Sequence, residues 1–457
     1  MPDPIASADS RRPSTPSAVA RSTTSRPPLI EWLRTSLQAH AIPLAAVLLI
    51  LASETKFVLK DEITGSGASV DIYILFEVAV YGAVAASILL LSPHPPSFAG
   101  AHPLEMGLLA YTFVMCAGAL AAPSPVYAVV RAFEVCTILL VARWTRTARS
   151  DWFLVFVRAF IFATVAMVGV GVVAPHDRGP LQQERFNWLA THSTTVGQFL
   201  AVAFTLSLIL AVARTWRDRN QARAMPYWLA TGITAVALAA NNTRGSAVAA
   251  LAGITVGLIL VLPRRLWVSA ILVLSYAGMF VVLLAQDVIG AWFARGEEAA
   301  DLENLNSRLP LWRLAVTETL SERPVMGFGL GASRSIFYEE TGLGGSHNAV
   351  INVLVDLGVV GLIIWVTLLA YAGWIMLRFR PATEAQLVER TLWLATLCVL
   401  LVNGITVDGL GGAANMGMVW LFMMVARAAQ VHERSRDTSP TAARRWTPTG
   451  PEEAGER

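Results

Sequence analysis

Charged side chains are scarce in this chain. They make up 15% of its 457 residues, where a soluble domain usually carries about a quarter. That shortfall excludes an ordinary water-soluble enzyme. Strand-like alternation of apolar and polar residues is absent as well, which excludes a membrane β-barrel. A formal net charge of +3 is too small to argue for nucleic acid as a partner. Cysteine is almost missing: Cys116, Cys136 and Cys398 all lie inside apolar runs, so no disulfide framework is expected. Residues 1–29 contain no apolar run of the kind a cleaved signal peptide needs, and they are rich in Pro, Ser, Thr and Arg. Internal repeats are not evident.

What the chain has instead is apolar runs of about 20 residues, each long enough to cross a hydrocarbon core of roughly 30 Å as a helix. Twelve spans are predicted, at 41–59, 71–91, 103–121, 125–142, 152–174, 193–213, 227–241, 246–262, 266–287, 347–377, 390–408 and 414–430. The fold class is therefore all-α, a polytopic membrane protein with one large extracytoplasmic loop. The expected domain layout is a disordered cytoplasmic tail at 1–40, a transmembrane domain at 41–430 and a second disordered tail at 431–457.

Basic residues orient the spans. Arg143, Arg146 and Arg149 follow span four, Arg214, Arg217, Arg219 and Arg223 follow span six, Arg264 and Arg265 follow span eight, and Arg378 and Arg380 follow span ten. Arg11, Arg12, Arg21, Arg26 and Arg34 precede span one, and Arg434 and Arg436 follow span twelve. Basic loops face the cytoplasm, so both termini are expected there. The connections at 175–192, 241–245 and 288–346 then face outward. Within the longest, Leu309, Trp312, Val316 and Leu320 recur at helical spacing, with Arg313, Thr317 and Glu318 off that stripe. This predicts a short amphipathic helix on the outer surface, ended by Pro324. The run Gly327-Phe328-Gly329-Leu330-Gly331 follows no strand and sits in no βαβ unit, so a dinucleotide site is rejected.

Four outward-facing residues carry chemistry. Arg244 lies in the turn Asn241–Ser246, Arg308 begins the amphipathic segment, His347 begins span ten beside Ser346 as an expected N-cap, and His192 starts span six. Arginine is permanently charged and its planar fork matches phosphate oxygens in pairs. A histidine beside such an anion site can take a proton from a hydroxyl near neutral pH. These parts suit displacement of a diphosphate from a lipid-linked sugar by an acceptor hydroxyl, with the arginines stabilising the leaving charge.

The sequence Arg308-Leu309-Pro310-Leu311-Trp312, then Arg323-Pro324-Val325-Met326-Gly327-Phe328-Gly329, then His347-Asn348, then Asp356-Leu357-Gly358-Val359-Val360-Gly361 resembles the O-antigen ligase and polysaccharide polymerase superfamily. Thr243-Arg244-Gly245-Ser246 is similar to the upstream Ser/Thr-Arg-Gly element of that family, and the preceding Asn-Asn departs from its Ser-rich form. The likeness covers roughly residues 190–375. It implies a GT-C-type membrane glycosyltransferase that uses an undecaprenyl-diphosphate-linked glycan donor and a glycan or lipid acceptor. It further implies inverting transfer without metal or other cofactor. His347 corresponds to the catalytic base, and Arg244 and Arg308 to the diphosphate-contacting arginines. His192, Asn348, Arg313 and Arg323 complete the expected substrate-binding set.

Plainer readings stand beside these. A short-loop arginine is ordinarily a headgroup anchor, and a histidine at a helix start is ordinarily structural. Arg313, Arg323 and Arg334 also read as solvated or lipid-facing. Inside the spans, Arg131 and Glu134 are three apart and can pair on one helix face, a structural solution to buried charge. Gripping lipid diphosphate is the other role open to Arg131 and Arg158, and Asp356 and Asp408 have no assigned role. A secondary transporter is the competing function, since twelve spans with cytoplasmic termini is a common transporter layout. A non-catalytic partner in polysaccharide export is the third.

Overall fold

The computed structural model describes residues 29–54, 72–91, 97–174, 185–189, 191–217, 221–267, 276, 308–341 and 346–437. Most of the predicted ninth span and the first part of the long loop (residues 268–275 and 277–307) fall outside them, as do residues 1–28 and 438–457. Among the described residues the architecture is all helical, without strands. In chain order the helices are α1 (Leu29–Glu54), α2 (Ile72–Leu91), α3 (Pro103–Ala119), α4 (Pro125–Trp144), α5 (Trp152–Val173), α6 (Ser193–Trp216), α7 (Gln221–Asn241), α8 (Arg244–Val261), α9 (Arg308–Glu322), α10 (Ala332–Thr341), α11 (Ala349–Arg378), α12 (Glu384–Asn403) and α13 (Met416–Asp437). Seven of them, α2, α4, α5, α6, α8, α11 and α12, are long and apolar enough to cross a membrane.

Several boundaries differ from expectation, three of them instructively. The first helix starts at Leu29, inside the segment read as a disordered tail, because extending an existing helix needs no new nucleus. The last helix likewise runs to Asp437, past the expected edge at 430. The eleventh span, expected to reach 408, ends at Asn403, where Gly404 caps α12. Ile405, Val407 and Leu410 made the following loop look like more helix. That loop proves central to the site.

Large apolar side chains such as Leu90, Phe113, Val126, Val173 and Ile363 point outward, as a lipid-facing surface requires. The interior is organised around α13, whose residues Met416–Val431 are buried. Trp420 meets the rings of Phe153, Phe156 and Phe160 from α5. Between apolar helices in lipid, close packing and polar ties replace the hydrophobic driving force. Accordingly α6, α8 and α12 form a tight group, and a side chain at Gly253 of α8 would collide with Val399 and the Ala395 carbonyl of α12. Polar ties include Trp152 Nε1 to Gln430 Oε1 at 2.9 Å and Trp393 Nε1 to the Met424 carbonyl at 2.9 Å.

Buried charge is neutralised within the bundle. Arg131 donates to Glu77 at 2.6 Å and to Glu134 at 2.7 Å, which is the structural pairing. Arg143 and Arg146 converge on Glu105, and Arg146 also reaches Glu433 at 2.6 Å. Arg217 approaches Glu384 at 3.7 Å and donates to the Val261 carbonyl. The basic connections after α4, α6 and α8 thus share ends with the start of α12 and the finish of α13.

The amphipathic helix is present as α9, but its buried face is Leu311, Ala315 and Thr319 rather than the predicted Leu309–Leu320 stripe. Leu320 is exposed and Trp312 half-buried. The small Ala315 and Thr319 let α9 lie close on α11, where Leu311 and Ala315 join Phe337 and Val355 in a satellite core. A surface helix that packs on protein rather than lipid buries its smallest side chains.

The tenth span is broken. Gly358, with φ 64° and ψ −166°, interrupts α11, and the 324–329 turn enters the gap. The amides of Phe328 and Gly329 donate to the carbonyls of Val355 (2.8 Å) and Asp356 (3.0 Å), while those of Val359 and Val360 donate to Pro324 (2.8 Å) and Val325 (3.2 Å). Irregular backbone at membrane depth is tolerated only where its polar groups find partners like these. The Asp356 carboxylate completes the junction by accepting from the amides of Gly331 (3.1 Å) and Ser333 (2.8 Å) at the start of α10. Asp356 is therefore a helix-start anchor.

Candidate functional site

The site assembles at the end of the bundle opposite the basic connections, from the starts of α6, α8, α9 and α11. The α7–α8 turn comes first. Asn241 Nδ2 donates to the carbonyls of Phe186 (2.7 Å) and Ser193 (3.0 Å), and Arg185 donates to Thr243 Oγ1 (2.7 Å) and the Asn241 carbonyl (3.1 Å). Asn241, at the family-divergent position, thus ties the turn to the start of α6. His192 is the N-cap of α6, with Nδ1 accepting from the Thr194 amide at 3.3 Å and lying 2.8 Å from Thr194 Oγ1. One ring nitrogen is thereby committed to the helix start, a structural duty beside any contact with substrate.

Arg244 is the first residue of α8, with Thr243 as its N-cap residue. The next two residues meet the loop after α12: Gly245 faces the Thr406 side chain so closely that a Cβ would overlap it, and Ser246 Oγ lies 3.3 Å from Asn403 Oδ1. From the other side, three successive carbonyls of the same loop are occupied. Gly404 accepts from the Ala349 amide at 2.7 Å, Ile405 from Asn348 Nδ2 at 3.3 Å, and Thr406 from Arg308 Nη1 at 3.3 Å. The 404–408 loop is thus the hub on which Arg244, Arg308 and His347 are mounted.

His347 itself occupies a left-handed backbone conformation, φ 52°. Such strain in a non-glycine residue costs on the order of 1 kcal/mol or more and persists only where neighbours enforce it. Here Ser346 does so: its hydroxyl bridges the Asn348 carbonyl (2.8 Å) and amide (3.2 Å), and its carbonyl accepts from Trp312 Nε1 at 2.7 Å. The expected Ser346 cap is corrected. Asn348 caps α11, its Oδ1 accepting from Val350 (2.9 Å) and Ile351 (3.2 Å), because the helix starts at Ala349 and the cap falls one residue before it. Both polar ends of the Asn348 side chain are engaged within the protein, a structural explanation for its place beside His347.

Burial lowers the His347 pKa below the ordinary imidazole value, the Asp408 carboxylate partly opposes that, and Arg308 adds to it. The lowered pKa favours the neutral ring, and the charges of Arg308 and Asp408 both act on it. Asp408 is the functional candidate that sequence reading left unassigned. Its signal is a carboxylate inside Asp408-Gly409-Leu410-Gly411-Gly412, a glycine-dense stretch unsuited to a helix interior. Arg334 donates to the Tyr127 hydroxyl at 3.1 Å and feels the charges of Asp408 and Glu54. Arg313 is exposed on α9, and Arg323 is exposed with its guanidinium 5.7 Å above the Phe328 ring. Arg158 is half-buried in α5.

Residues 229–366 match the family model described as O-Antigen ligase. No curated protein matches the chain. The matched segment contains Arg244, Arg308, His347 and the break at Gly358, and it ends before Asp408. An all-helical membrane fold carrying this segment makes the chain similar to the O-antigen ligases and supports a membrane enzyme of polysaccharide assembly.

Proposed function

We propose that the chain transfers or polymerises a glycan carried on a polyprenyl diphosphate of the undecaprenyl type, delivering it to an acceptor hydroxyl at the outer face of the cytoplasmic membrane. His347 takes the proton of that hydroxyl as its oxygen attacks the anomeric carbon. The bond to the diphosphate breaks, the configuration inverts, and the leaving group departs as polyprenyl diphosphate. Arg244 and Arg308 meet the charge that grows on its oxygens, the larger contribution in such transfers. Arginine side chains supply this role without a metal ion. Asp408 favours the protonated imidazole and so stabilises His347 once it has accepted the proton.

The observation that carries this reading is that the half-buried His347, its pKa lowered by burial and by the charge of Arg308, adjoins a helix start bonded to the same 404–408 loop that accepts from Arg308. This shared mounting supports a base and a phosphate-binding cation acting on one substrate. A broken spanning helix is also a transporter device. Here, however, the Val355 and Asp356 carbonyls and the Val359 and Val360 amides are bonded to the 324–329 turn, so these groups are not offered to a transported ion.

Sizing the lipid-linked glycans left in a strain lacking the gene tests the reading. Long unattached chains assign transfer of finished polymer, and single repeat units assign polymerisation. An unaltered pool would refute both.

A further inference from the structure

A cavity of about 600 Å³ opens at the end of α11 remote from His347. Its walls are the finish of α11, the start of α12 and the finish of α13. We propose that it binds the phosphate headgroup of an anionic phospholipid, with the acyl chains leaving along the apolar side of α11.

The charge inventory is one-sided. Arg378, Arg380, Arg427 and Arg434 line the cavity against a single carboxylate, Glu389. That carboxylate is consumed by Arg427 through a two-pronged ion pair, one prong at 2.9 Å. Arg378 and Arg380 are exposed, and Arg378 lies 5.6 Å over the ring of Trp374. The plain alternative is that these arginines neutralise the carbonyl end of α11. Arg390 already does so, donating to the Met376 and Leu377 carbonyls at 2.9 Å each. Arg378 and Arg380 are therefore not needed to neutralise that helix end.

A phospholipid fits better than a soluble anion. Trp374, Ile375, Phe379 and Val431 give the cavity an apolar wall, which free phosphate would not use. The cavity also lies where a membrane-crossing helix of 30 residues ends, the level at which arginine and tryptophan meet headgroups. The positive-inside pattern puts this end in the cytoplasmic leaflet. The inference is independent of the glycan-transfer reading.

The test titrates phosphatidylglycerol, phosphatidylcholine and inorganic phosphate against the purified full chain in detergent, reading bound lipid by native mass spectrometry and unfolding temperature in parallel. Phosphatidylglycerol should be retained and should raise the unfolding temperature, whereas phosphatidylcholine and phosphate should do neither. The double variant Arg378→Gln/Arg380→Gln should bind phosphatidylglycerol roughly thirtyfold more weakly, about fivefold per arginine, with an unchanged unfolding temperature in phosphatidylcholine. Should the double variant not fold, Arg380→Gln alone gives the same reading at about fivefold. Equal affinity for the two lipids, undiminished phosphatidylglycerol binding by the variants, or a matching effect from phosphate alone would each overturn the proposal.

Discussion

Gly327 and Gly358 face each other across the break in α11, each so close to backbone of the other's segment that neither position has room for a side chain. Gly327 has φ 67° and Gly358 φ 64°, conformations that residues with a Cβ rarely adopt. This contact seats the turn that follows α9 in the break of α11, and so helps fix Arg308 relative to His347.

Replacing either glycine by alanine should therefore destabilise the protein by about 3 kcal/mol or more. Gly169→Ala, where an added Cβ meets nothing within 4 Å, serves as the control and should unfold near the wild-type temperature. Thermal unfolding in detergent reads the difference. Equal stability of Gly358→Ala and Gly169→Ala would contradict the close packing described for the break.

The pH dependence of transfer follows from the surroundings of His347. A base with a pKa lowered from 6.5 is active above that pKa, so kcat/KM should fall on an acid limb lying below pH 6.5. Asp408 favours the protonated ring, so Asp408→Asn should move the limb to lower pH. Arg308 disfavours it, so Arg308→Gln should move the limb to higher pH while also slowing transfer. A limb that stays put in Asp408→Asn would remove Asp408 from the site.

Orientation has its own check. A reporter enzyme that is active only outside the cytoplasm, fused near Gly296, should be active, and the same reporter after Arg380 should be silent. The reverse pattern would put the His347 group in the wrong compartment for an outward-facing transfer.

The grouping of Arg244, Arg308 and His347 at one end of the bundle was legible because charge is rare in this chain. Arg244 and His347 stand out against apolar neighbours at helix starts placed by hydropathy, whereas the helix begun by Arg308 follows from helical spacing. Their mounting was not legible. The 404–408 loop hides among Ile405, Val407 and Leu410, whose hydropathy continues that of α12, so Asp408 looked like a stray charge at a helix end. The role of Asp356 depends on amides 25 and 23 residues upstream, at Gly331 and Ser333, and no local pattern announces that. The α9 stripe was misassigned for a related reason. Periodicity finds the greasiest face, whereas Ala315 and Thr319 are buried because they are small enough for close contact with α11.

The most direct test of the central claim is surface glycan in cells whose only copy of the gene carries His347→Ala or Arg308→Ala. Loss of a general base ordinarily costs about 10²–10⁴-fold in rate. Both variants should therefore lack assembled surface glycan and accumulate its lipid-linked precursor, at protein levels equal to wild type. Normal surface glycan from both variants would contradict the account.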